Sequence, residues 1–214
     1  DYFIGKNIEE YVKIMDGALF SQEELLEILT WNISDELKIG LLEFTDEEIS
    51  IIGKNYSPAV CLHILSNNFV ESDLSDLFSS FEQWDSSVQT KIFDYAVRYI
   101  ANIIDDPNSA STELKNRLLH SERVNLDEKI NLFIAMMPSL CENSIKEFLT
   151  LLNLTDYLKI FDTRSRPKFE INDENEKLLA AFKEANMIDN YEENPEKEGY
   201  YKITRPKRAV KTLH

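Results

Sequence analysis

One local pattern recurs along most of this chain: a small polar residue able to cap a helix, an acidic first turn, then apolar residues three and four apart. Ser21-Gln-Glu-Glu24 is the clearest case, a capping box in which the serine covers free amides and the glutamate reaches back. Leu25, Leu26, Ile28 and Leu29 follow as its apolar face. The next helix is expected over Asp35 to Phe44, with Leu37, Leu41 and Phe44 inward. Thr45-Asp-Glu-Glu48 reads as a second capping box, opening a short helix through Ile52 that ends at Gly53. Ser57-Pro58 places an N-cap before a proline at the first helical position, and that helix runs to about Leu65. With 5 glycines and 6 prolines in 214 residues, the chain lacks the punctuation of a turn-rich β fold.

The pattern continues. Ser72 to Trp84 reads as one amphipathic helix. Asp85 caps the longest, running to about Ile104 with Val88, Ile92, Tyr95, Ala96, Tyr99 and Ile103 inward. It stops at Asp105-Asp106-Pro107, because proline disfavours helical geometry in the residue before it. "IIDDPNSAST", from Ile103, is the clearest loop. Ser111-Thr112 then opens a helix to about His120. Leu126 to Met136 is stopped by Pro138, and Glu142 to Leu152 and Thr155 to Phe161 complete a second helical set. After the polar connector "DTRSRPK", from Asp162, Lys168–Ile171 reads as a strand. Asn172 caps a helix over Asp173 to Asn186, with Leu178, Leu179, Phe182 and Ala185 inward. Ile188–Glu192 and Tyr200–Thr204 form a hairpin about a turn through Asn194 to Gly199, giving a three-stranded sheet backed by one helix. The expected fold is mainly α: stacked helical hairpins of HEAT-like repeat character, then a small strand–helix–hairpin, winged-helix-like module. The expected regions are 1–106, 107–166, 167–205 and a basic tail over 206–214.

Two stretches resemble each other. "ILTWNISDELKIGLLEF", from Ile28, and "LLHSERVNLDEKINLFIAM", from Leu118, align Leu29 with Leu119, Asp35-Glu36 with Asp127-Glu128, and Lys38-Ile39 with Lys129-Ile130. The polar gap differs by two residues, and Leu37 is extra in the first copy. Either a helical hairpin is used twice, or this is the likeness shared by all capped amphipathic helices. Both lead to a helical stack, because a hairpin buries one face and needs a neighbour for the rest.

Charge narrows the function. The formal net charge is −16, and residues 1–201 alone carry −21. Such a body repels a phosphate backbone. Only the basic C-terminal segment, with Lys202, Arg205, Lys207, Arg208 and Lys211, offers a nucleic-acid contact, which is the alternative function. Two cysteines, Cys61 and Cys141, make no disulfide framework and are expected as reduced, mostly buried thiols in a cytoplasmic chain. No apolar run approaches the roughly 20 residues that span a bilayer. The start, "DYFIGKNIEEYV", has no signal-peptide pattern and no initiating Met, so the chain is expected to be part of something longer.

Motifs for chemistry are scarce. Gly53-Lys54 sits where a phosphate loop might, but Glu48 replaces its first glycine and Asn55 its Ser or Thr. Cys61 and His63 are two apart and diverge on a helix; nothing brings His120 and Cys141 together, and no metal or cofactor is expected. No serine lies in a nucleophile elbow, and the carboxylate pairs read as solvated first-turn residues. The aromatic residues Phe78, Phe81, Trp84, Phe93, Tyr95 and Tyr99 read mostly as core, the remainder as anchors for a partner. The helix "NDENEKLLAAFKEANM" carries Asp173, Glu174, Glu176 and Glu184 against Lys177 and Lys183, which is wrong for DNA contact.

Helical pairs with "DE-K-I-L" elements, followed by "LLAAFKEANMIDNYEENPEKEGYYKI", resemble the C-terminal region of large bacterial YobI-like P-loop NTPases over most of the chain. The resemblance implies an accessory helical region of a larger cytoplasmic bacterial protein, whose N-terminal NTPase domain would hydrolyse nucleotide. This chain has no phosphate loop, so no catalytic residue carries over. The expectation is a non-enzymatic interaction or regulatory region that contacts a protein partner or a neighbouring domain, with neither membrane nor nucleic acid as its target.

Overall fold

A computed structural model describes residues 20–159 and 170–205. Expectations that fall on 1–19, 160–169 and 206–214 lie outside the described residues: the helix end at Phe161, the 162–168 connector, the first half of the Lys168–Ile171 strand and most of the basic tail. The described chain is mainly helical, with one small antiparallel sheet near its C-terminus. It divides into two compact units, residues 20–103 with Asn108–Leu118, and Ile104–Pro107 with residues 119–159 and 170–205.

The first unit is a run of short helices packed on one another. Helix α1 (Gln22–Ile28) starts at the expected capping box: the Glu24 amide donates to Ser21 Oγ, and the Ser21 amide donates to the Glu24 carboxylate at 2.8 Å. Hydrogen bonds to that carboxylate, first from the Ser21 backbone amide and then from the Ser21 side chain, hold it below its ordinary value. α1 packs on α2 (Asp35–Leu42), α2 on α3 (Pro58–Asn67), and both α3 and α4 (Leu74–Ser79) on α5 (Ser86–Arg98). Ser57 Oγ accepts the Val60 amide and Asp85 accepts the Ser87 amide, as their sequence positions require. Leu25, Ile28, Ile33 and Leu41 form one apolar cluster, with Phe20, Trp31 and Leu37 against it. α6 (Ile100–Asp105) and α7 (Thr112–His120) follow. The Ser111 amide donates to the Phe78 carbonyl and the Arg117 guanidinium lies 4.9 Å from the Phe81 ring centre, tying α7 to this unit.

Four expectations are corrected here. The segment from Thr45 to Ile52 is not a helix. Thr45 Oγ1 donates to Gln22 Oε1, Asn68 Nδ2 donates to the Thr45 carbonyl at 3.0 Å, and the Ile49 amide donates to the Asn68 carbonyl. Those bonds hold the chain extended, with Ile49 bridging Phe69 in parallel; tertiary partners outbid the local cap. Gly53, at φ +68°, then turns the chain toward Ser57. Ser72 to Trp84 is broken at Ser80, because Ser79 and Ser80 hydroxyls both donate to the Asp76 carbonyl. The long helix divides at Tyr99: its hydroxyl donates to Glu71, while Ile100 and Ile103 turn into the core. Phe44 is exposed, and Lys38, Leu41 and Leu42 form the buried face of α2 instead.

The second unit centres on α11. Helix α8 (Leu126–Met136) opens with a capping box of Asn125 and Glu128 and passes through Pro138 to α9 (Glu142–Leu151) and α10 (Thr155–Lys159). α11 (Asp173–Glu184), capped by Asn172 on the Asn175 amide at 2.8 Å, packs on both α8 and α9 through Leu178, Leu179, Ala181 and Phe182. Asn153 and Asn186 end α9 and α11 with φ of 56° and 52°. In each, the following amide reaches back five residues, Leu154 to Leu149 and Met187 to Phe182, closing the last turn. Strands β1 (Asn190–Glu193) and β2 (Tyr201–Thr204) pair antiparallel with Asn190 opposite Thr204. Among the described residues the expected third strand is reduced to one bridge, Glu170 with Tyr200, so the sheet has two strands.

Asn68→Ala is expected to cost about 1–2 kcal/mol, because the Thr45 carbonyl loses its donor. Glu48→Ala should stay within about 0.5 kcal/mol, where a true cap would cost more. Asn186→Gly should be neutral or stabilising and Asn186→Ala should cost about 1 kcal/mol, given the left-handed backbone. Urea unfolding followed by circular dichroism measures all four; a costly Glu48→Ala would restore the helix at 45–52.

Candidate interaction surface

Most large apolar side chains of the second unit are buried; among its described residues Leu126, Leu151 and Ile171 are exposed, and the first two lie together. Leu126 is 48% exposed and Leu151 is 39% exposed. The turn through Pro138 brings the start of α8 beside the end of α9, so these two leucines border the same hollow. Leu119 and Leu152, 1% and 6% exposed, line it from beneath, and His120, Lys129 and Asn153 complete its edge. Its volume is about 220 Å³. Drug-sized ligands occupy pockets of about 300–1,000 Å³, so this hollow suits a side chain or two from a partner. Leu151 also borders a shallow depression along the outer face of α9, with Asn143, Lys146, Glu147 and Thr150. The arrangement is an apolar centre with a mixed-charge border, the layout of a protein contact.

Sequence reasoning missed both leucines, because each occupies a position that periodicity assigns to no special role. Leu126 is the first residue of its helix and Leu151 the last of its own.

The five expected basic residues are placed as follows. Lys202 is exposed on β2 and stands opposite Glu192 across the hairpin. Arg205 donates to the Leu158 carbonyl. Lys207, Arg208 and Lys211 lie outside the described residues.

The aromatic residues separate into core and edge. Phe78 and Phe81 are buried. Trp84 is half-buried and donates to Ser80 Oγ at 3.0 Å; Phe93 is half-buried too. Tyr95 donates to the Leu65 carbonyl, and Arg98 lies 5.4 Å from its ring centre. Burial raises the Tyr95 phenol; the hydrogen bond to Glu71 raises that of Tyr99. These hydroxyls are occupied in tying α5 to the preceding turns.

Cys61 is buried, and burial pushes its thiol up to about 11. Cys141 is exposed, which corrects the expectation of a buried thiol there: it caps the outer end of α9, where no apolar layer covers it. Its hydrogen bond with Ser144 Oγ, at 3.3 Å, pulls its thiol below the ordinary value. His63 Nε2 lies 3.3 Å from Asn67 Nδ2 on α3. Among the described residues, no three His, Cys, Asp or Glu are grouped to hold a metal ion, and no helix is long and apolar enough to cross a membrane. Gly53-Lys54 forms a turn whose Lys54 amide donates to Ile51.

The chain matches no family model, no curated protein and no solved structure.

Alkylation separates the two thiols. In the folded protein one equivalent of iodoacetamide should react quickly at Cys141, with a rate that reaches its plateau at lower pH than a free cysteine. Cys61 should react only in denaturant, because at neutral pH its thiol is buried and protonated. Equal rates for both in the native state would mean the core around α3 opens readily.

Proposed function

We propose that this chain is a non-enzymatic helical interaction or regulatory region of a larger bacterial protein, acting by protein–protein contact. The observation that carries the reading is the pair of exposed leucines, Leu126 and Leu151, on the edge of one hollow. Covering each would contribute about 1.5–3 kcal/mol at most, which is the scale of an anchor residue in an interface. The carboxylates support the same reading. Asp127 and Glu128 on α8, and Asp173, Glu174 and Glu176 on α11, occupy first turns, where they complement the helix dipole. The resemblance to YobI-like P-loop NTPases fits a region of this kind: nucleotide chemistry would sit in another domain, and these helices would present a surface to it or to a separate protein. The charge of a preferred contact follows from the net −16, which favours basic or mixed-charge partners.

The test places a photoreactive amino acid at position 126 or 151 in the full-length protein, in cells that make it. Cross-links to a protein or to a neighbouring domain are expected from both positions and not from the exposed Glu43 position. Leu126→Asp with Leu151→Asp should abolish them while shifting stability by less than about 1 kcal/mol, since both side chains are already half in water. Adducts that form equally from every surface position would remove the reading. A salt-sensitive shift of short DNA or RNA, lost on deleting 206–214, would move it to nucleic-acid binding through the basic segment.

A further inference from the structure

The second unit holds a groove distinct from the leucine hollow. Its floor is apolar: Ile104 at the end of α6, with Ile134 and Ala135 of α8, all half-buried. Its walls are charged. Asp105 borders it, as do Asp173 and Glu174 from the first turn of α11 and Lys177 one turn further along, all exposed. The volume is about 450 Å³.

We propose that this groove is a docking site for a lysine- or arginine-rich segment of a partner protein. The proposal rests on the reading of the chain as a protein-contact region and names one partner class for it. The chemistry of the walls and floor selects that class. A long cationic side chain is apolar along its stem and charged only at its end, so it matches a trough with isoleucines below and carboxylates above. An acidic segment would be repelled by the three carboxylates, and a neutral one would leave them faced by a single ammonium group. The net −16 of the chain draws a basic segment in from a distance and opposes the approach of a second copy, so it favours the basic segment as the occupant. Its lining comes from three separate parts of the sequence, and two of them, α8 and α11, are held together by the buried face of α11, so that part of the trough needs little ordering on binding.

The experiment measures fluorescence anisotropy of a labelled Lys/Arg-rich peptide with the intact chain at low and at physiological salt. Saturable binding that weakens with salt is expected. Asp173→Asn with Glu174→Gln should weaken it roughly fivefold, as should Asp105→Asn with Ile134→Ser. Glu122→Gln with Glu142→Gln, which neutralises two exposed carboxylates elsewhere in the same unit, should change it less than about twofold. A peptide whose cationic groups sit on shortened stems should bind less tightly at equal charge, since it cannot reach the floor. Circular dichroism of each variant distinguishes a lost site from a lost fold, and the two groove variants alter different segments. Equal losses from the groove and control variants would overturn the proposal in favour of diffuse attraction to an acidic surface. Binding that appears only after deletion of 206–214 would overturn it too, by showing that the chain's own basic tail is the occupant. Neither failure touches cross-linking at Leu126 and Leu151, so the broader reading stands or falls separately.

Discussion

Every helix among the described residues is too short to stand alone. The longest, α5, has 13 residues, and isolated helices below about 12–15 residues are marginal in water even with good sequences. The fold therefore depends on mutual burial of apolar faces, with caps deciding where each face begins and ends. Phe78, Phe81, Phe133 and Phe182 are the largest side chains removed from water, two in each unit. Around them leucines and isoleucines at helical spacing supply the area. Each helix is an amphipathic piece whose stability is lent by its neighbours, so the packing order α1 on α2, α2 on α3, α3 on α5 describes both the architecture and its energetics.

Where local and tertiary preferences agree, the sequence is a faithful guide. Ser21, Ser57, Asp85, Ser111 and Asn172 all cap as their positions require, and Leu178, Leu179, Phe182 and Ala185 are buried as the periodicity around α11 marks. Where they compete, tertiary bonds win. Thr45-Asp-Glu-Glu48 has the composition of a cap, yet Gln22 and Asn68 occupy the Thr45 hydroxyl and carbonyl, and neither partner is near in sequence. The long helix divides at Tyr99, whose hydroxyl reaches the distant Glu71 carboxylate. A periodicity argument has no access to such partners. The two similar stretches make the same point. The first lies wholly in one unit, whereas the second is divided between the units at Leu118, so like sequences serve unlike surroundings.

The surface was less readable than the core for a related reason. Leu126 and Leu151 are 25 positions apart and meet only because the chain reverses at Pro138. A capping box with leucine at its first helical position looks ordinary until the far end of the next helix is laid beside it. The groove of Ile104, Ile134 and Asp173 draws on three separate segments and is invisible to any window of sequence. The basic residues showed the opposite difficulty. They stand out as a run, yet of the two that the structure describes Lys202 stands opposite Glu192 across the hairpin and Arg205 donates to the Leu158 carbonyl. Proximity in sequence is a weak guide to convergence in space.

Exposed leucines and strong negative charge belong together in one physical account. Bare apolar side chains invite self-association, and a neutral protein carrying them would risk it. A net charge of −16 opposes the approach of another copy, so apolar contact becomes selective for partners whose charge is opposite or mixed. Charge here acts as the filter and the leucines as the anchor. The two demands also explain why the carboxylates gather at helix starts. There they favour the dipole and remain in water, so acidity accumulates on the exterior while the core keeps its leucines and phenylalanines. A chain built this way can carry many acidic residues with most of them in water, and it leaves its few uncovered apolar side chains as the places where contact stabilises most.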